Sequence, residues 1–219
     1  MAGHRKRIYV VDDHPIVCEH LAMLLNREPD LVVCGHSGAA TEACEQIARL
    51  QPDLVIADLS LGAQGGLQLI ETLHAAHPRL LILVLSAYDE TVYAERALRL
   101  GANGYISKNI AGHGIKAAIR KVLGGRTAVS EAVAERLLRH ITGHRADTTS
   151  HPLELLSDRE LEVLRHVGNG CRPKEIAARM HLSIKTLEGY EARIKTKLHL
   201  TTATELSRAA YDWVKAGLL

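Results

Sequence analysis

The sequence predicts an α/β fold: a (βα)5 doubly wound parallel sheet followed by a small all-α domain. Three observations carry this. Between residues 8 and 123, short apolar runs alternate five times with amphipathic helical stretches, the pattern of parallel strands joined by crossover helices. Two of the runs, residues 54–57 and 80–85, are apolar almost without a break, as strands covered on both faces must be. From Leu153 onward the apolar period is helical throughout.

In chain order, strands are expected at residues 8–11, 31–34, 54–57, 80–85 and 104–106. The first helix, 15–26, opens on Pro15, whose fixed φ and missing N–H suit a first helical turn. Helices at 39–50, 67–76, 90–100 and 112–123 follow, the last stopped by Gly124-Gly125. Residues 128–141 have the pattern of a further helix with Ser130 as its N-cap. The stretch 142–152, rich in Thr, Gly, Asp, Ser and Pro, has linker composition. This divides the chain into 5–125, a partly helical linker 126–152, and 153–219.

Four helices are expected in the last part. Ser157-Asp158-Arg159-Glu160 is a capping box ahead of Leu161, Val163, Leu164 and Val167. Pro173 starts a second helix that runs to about Met180, Ser183 caps a third over 184–198, and Thr201 or Thr202 opens a fourth that ends near Gly217.

Composition narrows the function classes. The 219 residues are 47% hydrophobic and 24% charged, enough to bury a core and against wholesale disorder. The net charge of +2 excludes a strongly basic histone-like binder, but it hides a split. Residues 1–125 hold 12 basic and 13 acidic side chains, and residues 126–219 hold 15 and 12. With no Phe and one Trp, stacking of bases on aromatic platforms is not expected. No apolar run reaches the ~18 residues that span a bilayer, so no membrane segment is expected. Cys18, Cys34, Cys44 and Cys171 lack CxxC spacing; Cys18 and Cys44 in helical patterns and Cys34 in a strand pattern read as reduced, buried thiols. A cytoplasmic protein is expected.

In a doubly wound sheet, ligands sit at the carboxyl ends of the strands. Asp12 and Asp13 follow the first strand, Asp58 the third, Ser86 the fourth and Lys108 the fifth. A strand-end cap would account for any one of them; five at the ends of the right strands point to one cleft. Converging carboxylates repel, which a hard divalent cation such as Mg2+ relieves while keeping positions open for water and phosphate. One carboxylate is then placed to attack a phosphoryl group, with Lys108 and the Ser86 hydroxyl on its oxygens.

These residues resemble those of a known family. Val-Val-Asp-Asp-His-Pro (10–15), Pro-Asp-Leu-Val-Ile-Ala-Asp-Leu (52–59), Val-Leu-Ser-Ala (84–87) and Gly-Ala-Asn-Gly-Tyr-Ile-Ser-Lys (101–108) make residues 5–125 resemble a response-regulator receiver domain. The resemblance implies that Asp58 is the phosphoacceptor and that Asp13 ligates Mg2+ directly, Asp12 mainly through water and Ser60 through its backbone carbonyl. It further implies that Ser86 and Lys108 contact the phosphoryl group and that Tyr105 changes rotamer with Ser86. The sequence has Leu61-Gly62 where the family often has Met-Pro, and Asn109 where many members have Pro.

In the second part, helix 173–180, the turn His181-Leu182-Ser183 and helix 184–198 have helix-turn-helix spacing, which would place the second helix in the major groove. Lys174, Lys185, Arg193, Lys195 and Lys197 are the candidate phosphate contacts. Glu188 and Glu191 lie on the same helix and oppose phosphate. The run from Leu156 through Glu160, Lys174-Glu175-Ile176-Ala177, and Leu182 through Tyr190 resembles a LuxR-type (NarL/FixJ) DNA-binding domain. The resemblance implies DNA contacts by Lys174 and Tyr190 on phosphate, and by Lys185, Thr186, Glu188 and Gly189 facing the groove. It implies a dimer surface around Leu206 to Trp213.

The expected function is therefore that of a two-component response regulator. A histidine kinase phosphorylates Asp58, and a homodimer, formed on phosphorylation or on DNA, binds double-stranded DNA and controls transcription. The alternative, motivated by Glu188 and Glu191, keeps the phosphorylated domain but makes the second a protein-interaction module with weak or absent DNA binding. An enzyme is not expected beyond slow self-dephosphorylation. The Asp-x-Asp of haloacid-dehalogenase phosphatases is missing, since Leu59-Ser60 follows Asp58.

Overall fold

A computed structural model of the chain describes residues 5–61, 65–109, 112–141 and 151–219. It divides into two compact units, Met1–Leu138 and Arg139–Leu219.

The first unit carries strands β1 (Lys6–Val11), β2 (Leu31–Ser37), β3 (Leu54–Ala57), β4 (Leu81–Ser86) and β5 (Gly104–Ser107) in one sheet of order β2-β1-β3-β4-β5. Every pairing is parallel. The crossovers are helices α1 (Pro15–Asn26), α2 (Ala40–Leu50), α3 (Gly66–Ala76) and α4 (Glu90–Arg99), and α5 (Gly112–Leu123) follows β5. Strand residues alternate between the two faces. Ile8, Val10, Leu54, Ile56, Leu83, Leu85 and Ile106 form one core cluster with Cys18, Leu21 and Leu25 of α1 and Ile115, Ile119 and Val122 of α5. Tyr9, Val55, Ile82, Val84 and Tyr105, between them in sequence, are buried as well. Both faces are covered, which is why the strands read as unbroken apolar runs.

The order β2-β1-β3 puts the topological switch point between β1 and β3, where such sheets open a crevice. Val11 pairs with Ala57, and Ala57 with Val84. The three strands thus end level, and Asp12, Asp58 and Leu85-Ser86 emerge side by side.

Most differences from the sequence reading lie at element ends. β2 runs on to Ser37 because ladder hydrogen bonding continues through the polar Gly35 and His36. α2 starts at Ala40 with Ala39 as its cap, and α3 starts one residue early, at Gly66. Ala128 is not helical: it pairs with Gly104 at the edge of β5, and its carbonyl accepts from the Tyr105 N–H at 2.7 Å. The following helix, α6 (Glu131–Ile141), is capped by Ser130, whose Oγ accepts from the Val133 N–H at 3.3 Å. Two bonds tie it to the start of α4: Ser130 Oγ to Glu90 at 2.7 Å, and Arg136 to the Thr91 carbonyl at 2.8 Å. For this reason the first unit extends to Leu138, past the break drawn at Gly125. Of the stretch read as a linker, residues 142–150 lie outside the described residues.

The second unit opens with a 3-10 turn, Pro152–Leu155, followed by α7 (Asp158–Gly168), α8 (Pro173–Arg179), α9 (Ile184–Lys197) and α10 (Ala203–Lys215). Capping boxes start α7 (Ser157, Glu160) and α10 (Thr202, Glu205), and Ser183 caps α9 by accepting from the Thr186 N–H. The tight α8–α9 turn sets His181 at φ 54. Leu161, Leu164, Ile176, Leu187, Ile194 and Leu206 are buried between the helices. Gly168 lets α7 and α10 meet, because a Cβ there would lie 2.5 Å from the Ala210 carbonyl oxygen.

Candidate functional site

At the carboxyl edge of the sheet, Asp12, Asp58 and Ser86 are buried and Asp13 is exposed. Lys108, delivered by the end of β5, bridges the acids: its Nζ lies 2.7 Å from Asp12 Oδ2 and 2.7 Å from Asp58 Oδ2. Burial of the ammonium works against its charge. The hydrogen bonds to Asp12 and Asp58 outweigh that, and the Lys108 pKa stands above its ordinary value. The Ser60 hydroxyl donates to Asp58 Oδ2 as well. The other oxygen, Asp58 Oδ1, is buried and has no hydrogen-bond partner among the described residues.

Asp12, Asp13, His14 and Asp58 each offer a ligand atom within 4.8 Å of the others. Three carboxylates against one ammonium leave two negative charges uncompensated, and one of the buried oxygens is unsatisfied. The three carboxylates therefore fit a hard divalent cation.

A second set of contacts runs from Ser86 to β5. Ser86 Oγ accepts from the Tyr88 N–H at 3.1 Å, and the Tyr105 hydroxyl donates to the Tyr88 carbonyl at 2.8 Å. Tyr105 is buried, and burial pushes its phenol above its ordinary pKa, so it stays protonated and donates. Ser86 Oγ also lies in side-chain hydrogen-bonding reach of the Tyr105 hydroxyl. The Tyr88 ring stacks on Tyr93 of α4 with centroids 5.0 Å apart.

In the second unit, Lys185, Thr186, Glu188 and Arg193 of α9 and Lys174 of α8 are exposed, while Gly189, Tyr190 and Lys197 are half-buried. Arg193 lies over the Tyr190 ring, 4.6 Å from its centroid. Buried Glu160 of α7 reaches two of the three basic residues in the second half of α9: Lys197 Nζ at 2.7 Å and Arg193 Nε at 3.4 Å.

A model of the response regulator receiver domain matches residues 8–120, and one of the bacterial regulatory proteins of the LuxR family matches residues 154–210. The chain is a response regulator of the NarL/FixJ type. Oxygen regulatory protein NreC of Staphylococcus carnosus is 34% identical over 204 residues, covering 91% of this chain and 94% of NreC. Among solved structures, RcsB of Salmonella enterica serovar Typhimurium, bound to promoter rprA in the presence of phosphomimetic BeF3-, is 25% identical with a TM-score of 0.70. That likeness covers 94% of this chain and 98% of RcsB. A LuxR-family response regulator from Aurantimonas sp. SI85-9A1 is 30% identical with a TM-score of 0.59, covering 64% of this chain and 99% of the other. A receiver joined to a LuxR-type domain makes this chain a phosphorylation-regulated, DNA-binding transcription regulator.

Within this response regulator, Asp12, Asp13, Asp58, Ser60, Ser86 and Lys108 come together in one cleft, and Tyr105 joins through Tyr88. On the helical unit, Lys174, Lys185, Thr186 and Glu188 share exposure, whereas Arg193 and Lys197 are already engaged by Glu160. Sequence reasoning did not assign the contacts of three residues. His14 lies with Nδ1 2.8 Å from Asp13 Oδ1 and 3.1 Å from Asp12 Oδ1; its place beside the acid pair was the available signal. The Tyr88 backbone relays between Ser86 and Tyr105 and leaves no mark in the side-chain pattern. Glu160 was visible as a capping residue but not as the partner of α9.

Proposed function

We propose that Asp58 of this response regulator takes a phosphoryl group from a sensor histidine kinase, and that the acyl phosphate then controls DNA binding by the helical unit. The observation that carries the reading is Lys108 bridging buried Asp12 and Asp58 at the switch point of the sheet. A carboxylate oxygen of Asp58 attacks phosphorus. The P–N bond to the phosphohistidine breaks and its electron pair returns to the imidazole. Lys108 exchanges its bond to Asp58 for one to a phosphoryl oxygen, and the Ser86 hydroxyl donates to another. Asp12, Asp13 and Asp58, with the Ser60 carbonyl, would hold Mg2+, which would neutralise charge on the transferring group. Ser86 moves toward the phosphoryl group and draws on Tyr88, and through Tyr88 on the Tyr105 hydroxyl, so the start of α4 is remodelled.

Downstream, two copies place α9 in the major groove of half-sites about one turn apart. Lys174 and Tyr190 sit on phosphate; Lys185, Thr186, Glu188 and Gly189 face the bases. We infer a cytoplasmic protein that acts as phosphoacceptor, without turnover of other substrates. No described helix is long and apolar enough to cross a membrane.

Treatment with a small phosphodonor and Mg2+ tests this. Wild type is expected to gain the mass of one phosphoryl group and to protect a DNA site more strongly in footprinting, and Asp58→Asn to do neither. Equal mass gain by both proteins would sink the assignment of Asp58. A phosphorylated protein that protects no site at low salt would favour the protein-interaction reading, which Glu188 on the exposed face of α9 motivates.

A further inference from the structure

Packing inside the helical unit does not account for the outward face of α9. Leu187 and Ile194 are buried against the other helices. By helical spacing, Lys185, Gly189, Ala192 and Thr196 lie on the side opposite them, with Glu188 next to that row. Lys185, Glu188, Ala192 and Thr196 are exposed. The Glu188 carboxylate has no ion pair and no hydrogen bond among the described residues. Gly189 stands in the middle of the helix, where glycine is destabilising relative to alanine. A Cβ there would meet nothing within 4 Å. The unit itself therefore has no use for this glycine, and its bare backbone suits a surface that approaches closely from outside.

The chemistry of the groove selects what such a carboxylate can meet. Glu188 repels phosphate, and in the major groove it also repels the O6 and N7 acceptors of guanine and the O4 acceptor of thymine. Adenine offers its N6 amino group only beside the N7 acceptor, whereas cytosine presents its N4 amino group as a donor alone. We propose that Glu188 selects cytosine at one position of each half-site by accepting a hydrogen bond from N4, and that Gly189 lets α9 settle deep enough to bring the carboxylate there. The proposal rests on α9 lying in the major groove, as in the proposed function.

The phosphorylated full chain, beside Glu188→Gln and Glu188→Ala, selects binding sites from random-sequence DNA at low salt. Wild type is expected to enrich sites with a fixed cytosine in each half. Glu188→Gln is expected to change that position alone to adenine, because Gln pairs with adenine N6 and N7, and Glu188→Ala to relax it. On the selected site, pyrimidin-2-one in place of that cytosine removes only the 4-amino group. This is expected to weaken wild-type binding about fivefold or more, in the range of one lost base contact, and Glu188→Ala binding less than about twofold. Gly189→Ala is expected to raise the urea midpoint and yet bind the selected site about tenfold more weakly, since its methyl stands between helix and groove. The same base preference in wild type and both Glu188 variants overturns the proposal. So does an equal loss on pyrimidin-2-one in wild type and Glu188→Ala, and unweakened binding by Gly189→Ala overturns the close approach. A phosphorylated wild type that enriches no sequence overturns instead the placement of α9 in the groove.

Discussion

Glu160 accepts the Ser157 N–H at 2.8 Å and the Lys197 ammonium at 2.7 Å while only 2% exposed. Burial alone would raise its pKa, but Lys197 and the Ser157 N–H hold it below the ordinary carboxylate range. A depressed carboxylate stabilises the fold above its unfolded value and loses that contribution as pH falls through the folded one. Glu160→Ala is expected to cost about 2 kcal/mol, below the ~3–5 kcal/mol of a fully buried pair because Lys197 and Arg193 are part-exposed and can turn to water. His166, buried in the same helix, works at higher pH. Burial first, then Arg165 and Arg179, push its pKa down to about 4 from 6.5. Between those values the unfolded chain binds the proton and the folded chain does not, so stability falls as pH drops from 6.5 toward 4, by about 3 kcal/mol in all. His166→Leu is expected to flatten that window. Trp213, the single tryptophan, reports unfolding of this unit in urea at each pH; a slope that survives in His166→Leu would remove His166 as the cause. These roles show where sequence reading stops. Asp12, Asp58, Ser86 and Lys108 were legible because each ends an apolar run at a predictable edge. Glu160 meets Lys197 37 residues away, and only tertiary packing brings them together.

At the level of elements, the segment from β3 into α3 fixes where Asp58 stands. Gly66 packs directly on it: a Cβ there would lie 2.3 Å from Leu59 Cα and 2.4 Å from the Asp58 carbonyl oxygen. Gly66→Ala must push this backbone, at a cost of about 1–3 kcal/mol for overpacking. It is expected to slow phosphorylation of Asp58 at least about tenfold, since about 1.4 kcal/mol of misplacement is a tenfold rate, with the circular dichroism of the fold retained. An unchanged rate would show that the loop absorbs the methyl. α6 makes a second case. Ser130 caps it and also holds Glu90, so Ser130→Ala is expected to cost about 1 kcal/mol locally. Hydrogen exchange should report this as faster exchange over residues 131–138, with β1 and β3 unaffected. The sequence pattern carried all five strands and the helices after them, because burial on both faces leaves long apolar runs. It misplaced Ala128, a good helix former with apolar neighbours, because pairing of its backbone with Gly104 outweighs propensity. It also cut β2 short at the polar residues that the ladder carries through to Ser37.

Across the whole molecule, near-neutral charge is the sum of an acidic unit and a mildly basic one, and the basic excess has to serve DNA. Not all of it is available. Arg193 and Lys197 lie against Glu160, so their first partner is inside the unit. Glu191 is half-buried on the same helix; burial pushes its carboxyl pKa up, Lys195 partly offsets this, and Glu188 adds repulsion. Lys185, at the exposed start of α9, and Lys174, at the start of α8, have no such internal acid among the contacts described. Each phosphate neutralised by a basic side chain adds a term of about 0.9 to the slope of log affinity against log salt. Lys185→Ala is therefore expected to weaken DNA binding and to shallow that slope by about 1, with urea stability unchanged. Lys197→Ala is expected to do the reverse: a lowered urea midpoint, because Glu160 loses its closest cation, with the salt slope nearly intact. Fluorescence anisotropy with the phosphorylated protein over a salt series, beside urea melts followed at Trp213, measures both quantities. If Lys197→Ala shallows the slope as much as Lys185→Ala does, then Lys197 leaves Glu160 for phosphate when DNA binds, and the buried carboxylate becomes part of the cost of binding rather than a fixed brace.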